Sequence, residues 1–141
     1  MATTRTATTQ WNGALLDGSG TVSLDTSGVG TFEVSWPSRS EAANGKTSPE
    51  ELIAAAHSSC FSMALAHGLA GAGTPPESLR TSADVTFQPG EGITGIVLNV
   101  QGRVPGLTAE QFQRAAEDAK AGCPVSKALA GTTITLNAEL V

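Results

Sequence analysis

The sequence predicts an α+β fold, and three observations carry that prediction. Stretches that alternate apolar and polar residues lie at both ends of the chain, broken by glycine-rich turns. One long helix between them is apolar on every side, and a second, capped helix precedes the last strand. The 141 residues fit a single domain, 1–141.

Residues 10–36 read as strands. Trp11, Ala14 and Leu16 lead to the turn signal Asp17-Gly-Ser-Gly20, and Val22 and Leu24 then alternate with polar neighbours. Ser27-Gly-Val-Gly30 turns again, and Phe32, Val34 and Trp36 alternate once more, as in an antiparallel meander. Pro37 is expected to end the last strand, and 38–46 reads as a polar loop. Ser48 then offers an N-cap, Pro49 suits the first helical position, and Glu51 completes a capping box. From Leu52 to Ala70 almost every residue is apolar or small, so no wide polar face exists. A helix of that kind is a buried one. Gly71, Gly73 and Pro75-Pro76 terminate it.

Further on, Ala83, Val85 and Phe87 mark a strand, and Ile93 to Val104 a longer one after the Pro89-Gly90 turn. Thr108 and Gln111 form a second capping box, Phe112, Ala115, Ala116 and Ala119 supply an apolar stripe, and Gly122 stops that helix. Cys123-Pro124 opens a short helical turn through Leu129, and Thr133 to Val141 alternates as a last strand. A single small sheet cannot enclose a helix that is apolar all round. A second copy of the chain is the simplest cover, so a homodimer with two sheets around central helices is expected.

The formal net charge is −5 with no Lys/Arg cluster, which argues against a nucleic-acid partner. No uninterrupted apolar run is long enough to cross a bilayer, and the N-terminal residues do not resemble a signal peptide. A cytoplasmic protein without a membrane partner is therefore expected. In such a compartment a structural disulfide is rare, and cysteine pairs that do oxidise tend to be catalytic or redox-sensing. Composition alone favours two buried thiols that pack as small hydrophobes, because cysteine is among the most buried residue types.

Local sequence separates those readings. Cys60 lies in the middle of the apolar helix, where burial raises a thiol's pKa unless a cation is near. Reduction of a peroxide needs the thiolate, which attacks the O–O bond and becomes a sulfenic acid. Of the eight basic residues, Arg39, just before the helix, is the best candidate for that cation. Arg5, Arg80 and Lys127 are the alternatives. Glu50 is the natural residue to orient the arginine. It stands nearly three helical turns from Cys60, about 15 Å by helix rise, so it can serve a thiol only across an interface. Its plainer role is to complement the helix dipole. Cys123, between Gly122 and Pro124 at a helix start, has the setting of a thiolate-prone resolving thiol. His57 and His67 have no companions at metal-ligand spacing and read as core or interface residues. Ser59 and Ser62 read as small packing residues, and no CxxC pair is present.

The stretch Thr47-Ser-Pro-Glu-Glu-Leu-Ile-Ala-Ala-Ala-His-Ser-Ser-Cys-Phe-Ser-Met-Ala-Leu65 closely resembles the signature of the OsmC/Ohr family. Ala116-Glu-Asp-Ala-Lys-Ala-Gly-Cys-Pro-Val-Ser-Lys-Ala-Leu129 resembles its second cysteine motif. With the strand order, the resemblance covers essentially the whole chain. It implies an OsmC-like fold, with antiparallel sheets wrapped around buried central helices in an intertwined homodimer whose active sites lie at the subunit interface. It implies that Cys60 is the peroxidatic thiol and Cys123 the resolving one, with Glu50 as the family's Pro-Glu glutamate. The Ohr-like branch carries its arginine in a Gly-Arg turn among the first strands, where this chain has Leu16-Asp-Gly-Ser-Gly20. Ser38-Arg-Ser40 matches the OsmC-like placement instead, and His57 stands where the Ohr branch tends to carry an aromatic residue. Ser48 departs from the asparagine of many relatives, but either residue caps a helix.

The expected activity is a dithiol peroxidase acting on organic hydroperoxides, and less efficiently on hydrogen peroxide. It needs no haem, flavin or metal cofactor, and its reductant is a dithiol, with dihydrolipoyl groups implied by the resemblance. Two other readings use the same residues: a dimer that binds a hydrophobic ligand and merely packs its cysteines, and a peroxide sensor that signals to a partner.

Overall fold

Glycine-rich turns fold the first part of the chain into a three-stranded antiparallel meander. The computed structural model describes all residues, Met1–Val141. The strands are β1 (Thr8–Asn12), β2 (Ser19–Ser23) and β3 (Thr31–Val34), in the order β1-β2-β3. Thr9 pairs with Val22, and Val22 with Phe32. Val22 is buried, while Trp11 and Phe32 stay 36% and 41% exposed. The chain divides into two compact units, Met1–Leu52 and Ile53–Val141, each with its own sheet.

The first unit departs from the sequence reading after Val34. The expected strand end at Trp36 and loop at 38–46 give way to a short helix, α1 (Trp36–Ser40). Ser35 caps it: the Ser38 N–H donates to the Ser35 hydroxyl at 3.2 Å, and the Ser35 N–H donates to the Ser38 hydroxyl at 3.1 Å. Pro37 lies in the first turn, where its missing N–H costs nothing, so it starts a helix rather than ending a strand. The loop that follows is tied back by Thr47, whose N–H donates to the Glu33 carbonyl at 3.0 Å.

Helix α2 (Pro49–Gly71) begins at the expected residue. The Ser48 hydroxyl accepts the Glu51 N–H at 3.1 Å, but the Glu51 carboxylate takes the Thr47 hydroxyl at 2.5 Å, so only half of the expected capping box forms. By length and composition alone, α2 is long and apolar enough to cross a membrane. The count of uninterrupted apolar residues did not anticipate this, because His57, Ser58, Ser59 and Ser62 break the run without making it polar on average. The core helix of a globular protein passes the same test. Here His57, Phe61, Leu65 and Leu69 are buried at four-residue spacing. On the opposite face Ala55, Ser59, Met63 and Ala70 are exposed, Met63 at 72%. The chain thus covers its apolar helix along one stripe only.

In the second unit β4 (Ser78–Gln88) and β5 (Gly92–Arg103) form a long antiparallel hairpin, with a register shift at Thr86/Phe87 beside the turn. Ile96, Leu98, Val100 and Gly102 of β5 point inward. Helix α3 (Ala109–Gly122) follows from the expected Thr108/Gln111 box, and α4 (Pro124–Ala128) leads to β6 (Ile134–Leu140). The expectation of purely antiparallel sheets fails at β6, which runs parallel to β5. The connection from β5 passes through α3 and α4, and a helical crossover of that length returns a strand in parallel. Phe112, Ala116 and Ala119 of α3 join Phe61, Leu65, Leu69, Leu98, Val100 and Cys123 in one core. Gly102 lets Phe112 close on the sheet, since a Cβ there would lie 2.5 Å from the ring.

Candidate active site

Cys60 sits on α2 within the second unit, half-buried and flanked on the helix by the core residues His57 and Phe61. Cys123 is the single residue between α3 and α4. Its backbone is extended (φ −60°, ψ 125°), its N–H closes α3 on the Ala119 carbonyl at 2.9 Å, and its carbonyl opens α4 by accepting the Lys127 N–H at 3.1 Å. Pro124 holds the preceding residue out of the helical region, and the change of direction places the Cys123 side chain in the core, where it is fully buried. The two sulfurs meet at 2.9 Å, both as free thiols.

The surroundings of the two sulfurs differ. Burial pushes the Cys60 thiol up, and its contact with Cys123 adds to that; the Val125 N–H opposes them without prevailing. Burial pushes Cys123 up as well. There, however, the hydrogen bond from Cys60, the N–H groups of Ser126 and Val125, and the Ser126 hydroxyl outweigh burial and hold the thiol below its ordinary value. Cys60 is therefore the thiol held above its ordinary value and Cys123 the one held below it. The first turn of α4 aims its amides at that sulfur.

Next to the thiols lies a second buried pair. His57 Nε2 is 2.7 Å from Ser126 Oγ. His57 is fully buried, Nδ1 has no partner, and burial holds the imidazole pKa below its ordinary value.

Arg39 and Glu50 are brought together inside the first unit. Arg39 Nε donates to both Glu50 carboxylate oxygens at 3.0 and 3.1 Å, and Nη2 donates to Oε2 at 2.8 Å. Glu50 is buried, and the Arg39 side chain stays 31% exposed. Glu50 thus orients the guanidinium besides standing in the first turn of α2. The other cations considered, Arg5, Arg80 and Lys127, are exposed. No group of three or more His, Cys, Asp or Glu side chains is arranged to hold a metal ion.

The model of the OsmC-like protein family matches residues 42–138, a span that holds both cysteines and Glu50. The chain belongs to the OsmC-like family. It is 43% identical over 133 residues to the peroxiredoxin OsmC of Escherichia coli (strain K12), covering 92% of each chain. Among solved structures it resembles an organic hydroperoxide resistance protein from Elizabethkingia anophelis, with 28% identity, full coverage of both chains and a TM-score of 0.71. An OsmC-like protein from Mycoplasma pneumoniae, 18% identical, shares the fold with a TM-score of 0.74 over 100% of this chain and 99% of its own.

Of the residues singled out in the sequence of this OsmC-like chain, the structure joins Cys60 to Cys123 and Arg39 to Glu50. Ser62 is half-buried, donating to the Ser58 carbonyl at 2.8 Å, whereas Ser59, expected to pack, lies on the exposed face of α2 and donates to the Ala55 carbonyl at 2.8 Å. His57 is a core histidine as expected, but its partner Ser126 was not anticipated. Ser126 carries no mark in its own neighbourhood, because its meaning depends on a residue far away in the chain.

Proposed function

We propose that this protein is a thiol peroxidase of the oxidative-stress response that reduces organic hydroperoxides, and hydrogen peroxide less efficiently. The observation that carries the reading is the 2.9 Å approach of Cys60 and Cys123. A disulfide requires about 2.05 Å between sulfurs, so the two thiols are poised to close one with little movement. In the proposed cycle the Cys60 thiolate attacks one peroxide oxygen and the O–O bond breaks. The alkoxide takes a proton and leaves as alcohol, and Cys60 becomes a sulfenic acid. The Cys123 thiolate then attacks the Cys60 sulfur. The S–S bond forms, the S–O bond breaks, and hydroxide leaves with a proton as water. A dithiol donor reduces the disulfide by exchange, for which a dihydrolipoyl group is the expected source. The names of the relatives, a peroxiredoxin and an organic hydroperoxide resistance protein, support this reading.

Attack by Cys60 requires negative charge to be drawn onto Cys60, whose thiol is held above its ordinary value. We infer that Arg39, held by Glu50, supplies that pull from a second copy of the chain. The exposed apolar face of α2, with Met63 72% exposed, supports an intertwined homodimer in which central helices are covered by the partner. An apolar site built around such helices favours organic peroxides over small polar ones. A reducing, cytoplasmic compartment suits two free thiols kept ready for turnover.

Thiol counting before and after one equivalent of cumene hydroperoxide tests the reading. Rapid loss of two thiols per chain is expected. Retention of both would favour a dimer that binds hydrophobic ligands and uses its cysteines only for packing.

A further inference from the structure

Two side-chain contacts tie α4 and its cap to α2. Cys60 meets Cys123 at 2.9 Å, and His57, one turn earlier on α2, meets Ser126, three residues after Cys123, at 2.7 Å. All four residues belong to the second unit, where His57 and Ser126 are the only buried polar side chains. Burying such groups in an apolar core is tolerated when they bond each other, but His57 Nδ1 is left without a partner, a cost that two apolar residues would not carry. Packing alone gives no reason for the pair. Its place beside the dithiol does.

Helix α4 has five residues, Pro124–Ala128, far fewer than a helix needs to persist on its own. Its position, and with it that of Cys123, depends on what it touches. The sulfur contact is the one that the peroxide chemistry disturbs. Once Cys60 carries a sulfenic oxygen, that oxygen must fit beside the sulfurs, and Cys123 must still stand where it can attack. The His57–Ser126 contact involves neither sulfur, and oxidation of Cys60 leaves its atoms unchanged. It joins the same two elements, so it preserves their spacing while the sulfur contact is remade.

We propose that His57 and Ser126 are positioning residues that latch α4 to α2, holding Cys123 within reach of Cys60 and raising the effective concentration of the resolving thiol. The part of the proposal that concerns the sulfenic stage rests on the peroxidase reading; the part that concerns the dithiol itself does not. In the closing step the Cys123 sulfur attacks the Cys60 sulfur, the S–S bond forms, the S–O bond breaks and the oxygen leaves as water. A second hydroperoxide competes with that step by oxidising the sulfenic acid to a sulfinic acid and leaving as alcohol. Holding two reacting groups together makes closure effectively unimolecular, and the latched chain closes before the second oxidation. The same latch favours the disulfide at equilibrium, because a dithiol already in register loses less freedom when it closes.

The test reads the latch without peroxide. The protein dithiol is equilibrated with glutathione, so that forming the Cys60–Cys123 disulfide splits one oxidised glutathione into two thiols. The reduction potential is measured by alkylation for the parent, Ser126→Ala, His57→Leu, His57→Gln and the double variant Ser126→Ala/His57→Leu, each first checked for cooperative unfolding. A substitution that merely weakens the fold weakens both redox forms alike and leaves the potential in place. Ser126→Ala and His57→Leu are each expected to shift the equilibrium about tenfold toward the dithiol, a potential about 30 mV less negative. The double variant should shift no further than either single one, because both side chains act through one contact. His57→Gln, which keeps a polar group able to reach Ser126, should stay near the parent. Under excess cumene hydroperoxide, Ser126→Ala should accumulate more Cys60 sulfinic acid than the parent. An unchanged or more negative potential in folded Ser126→Ala overturns the latch. So do additive shifts in the double variant, a shift in His57→Gln as large as in His57→Leu, or sulfinic acid no higher than in the parent. A parent chain that keeps both thiols under hydroperoxide overturns the peroxidase reading instead, and the glutathione equilibrium still decides whether the latch exists.

Discussion

Cys123 Sγ lies 2.9 Å from Cys60 Sγ, at the one residue that ends α3 and begins α4. A side chain held at such a junction is fixed by two helices at once, so the partner sulfur meets a defined target. Replacing Cys123 by Ser should leave the first oxidation of Cys60 intact and abolish the disulfide. Mass measurement after one equivalent of hydroperoxide should then find the sulfenic acid or its further oxidation products, with no intramolecular crosslink.

The Arg39–Glu50 ion pair gives a second prediction. Arg39→Ala should lower turnover about a hundredfold or more, the scale of losing a donor that stabilises developing charge. Stability should fall as well, because the buried Glu50 carboxylate loses its partner. The loss should be smaller than the roughly 3–5 kcal/mol of a fully buried pair, since the Arg39 side chain is 31% exposed. Arg39→Lys should recover little activity, as an ammonium cannot span both carboxylate oxygens and still face a thiol. Steady-state rates and urea midpoints on the same variants check both effects.

His57 makes stability sensitive to acid. Burial holds its folded-state pKa below the ordinary 6.5, so below about pH 6.5 the unfolded chain takes up a proton that the folded chain refuses. The contribution is fully present above that pH and is lost as pH falls toward the folded-state pKa. Urea midpoints should decline from pH 7 to pH 5 by more in the parent than in His57→Gln.

Gly102 carries no side chain because Phe112 occupies the space, with a hypothetical Cβ 2.5 Å from the ring. Gly102→Ala should destabilise the second unit by about 1–3 kcal/mol, the cost of overpacking. Phe112→Leu in the same chain should return part of that loss, and equilibrium unfolding of the two single variants and the double variant measures the coupling.

Met63, 72% exposed on the apolar face of α2, tests the dimer. Light scattering at micromolar concentration should find a dimer for the parent and a shift toward monomer for Met63→Glu. A monomeric parent would remove the basis for assigning Arg39 and Glu50 to the partner's dithiol.

The legibility of this chain follows how local each signal is. Helices α2 and α3 could be read because Ser48-Pro49 and Thr108 with Gln111 cap them through neighbours in sequence. Helix α1 escaped because its box is built from two serines, Ser35 and Ser38, in place of the acidic or amide partner that marks one, and because Pro37 reads equally as a strand end. The alternation over 133–141 announced β6 but not its direction, since period two is the same for a parallel and an antiparallel strand. Of the site, Cys60 and Cys123 were legible as chemistry, and their meeting was implied only by family resemblance. The Arg39–Glu50 pairing followed from charge and nearness along the chain. The His57–Ser126 contact spans a sequence separation of 69 and left no local trace.

The most direct test of the central claim is steady-state reduction of cumene hydroperoxide with dihydrolipoamide as donor, compared with glutathione, for the parent chain and Cys60→Ser. The account predicts turnover by the parent that is faster with the dithiol, and none above background for Cys60→Ser. Full turnover by Cys60→Ser would contradict it.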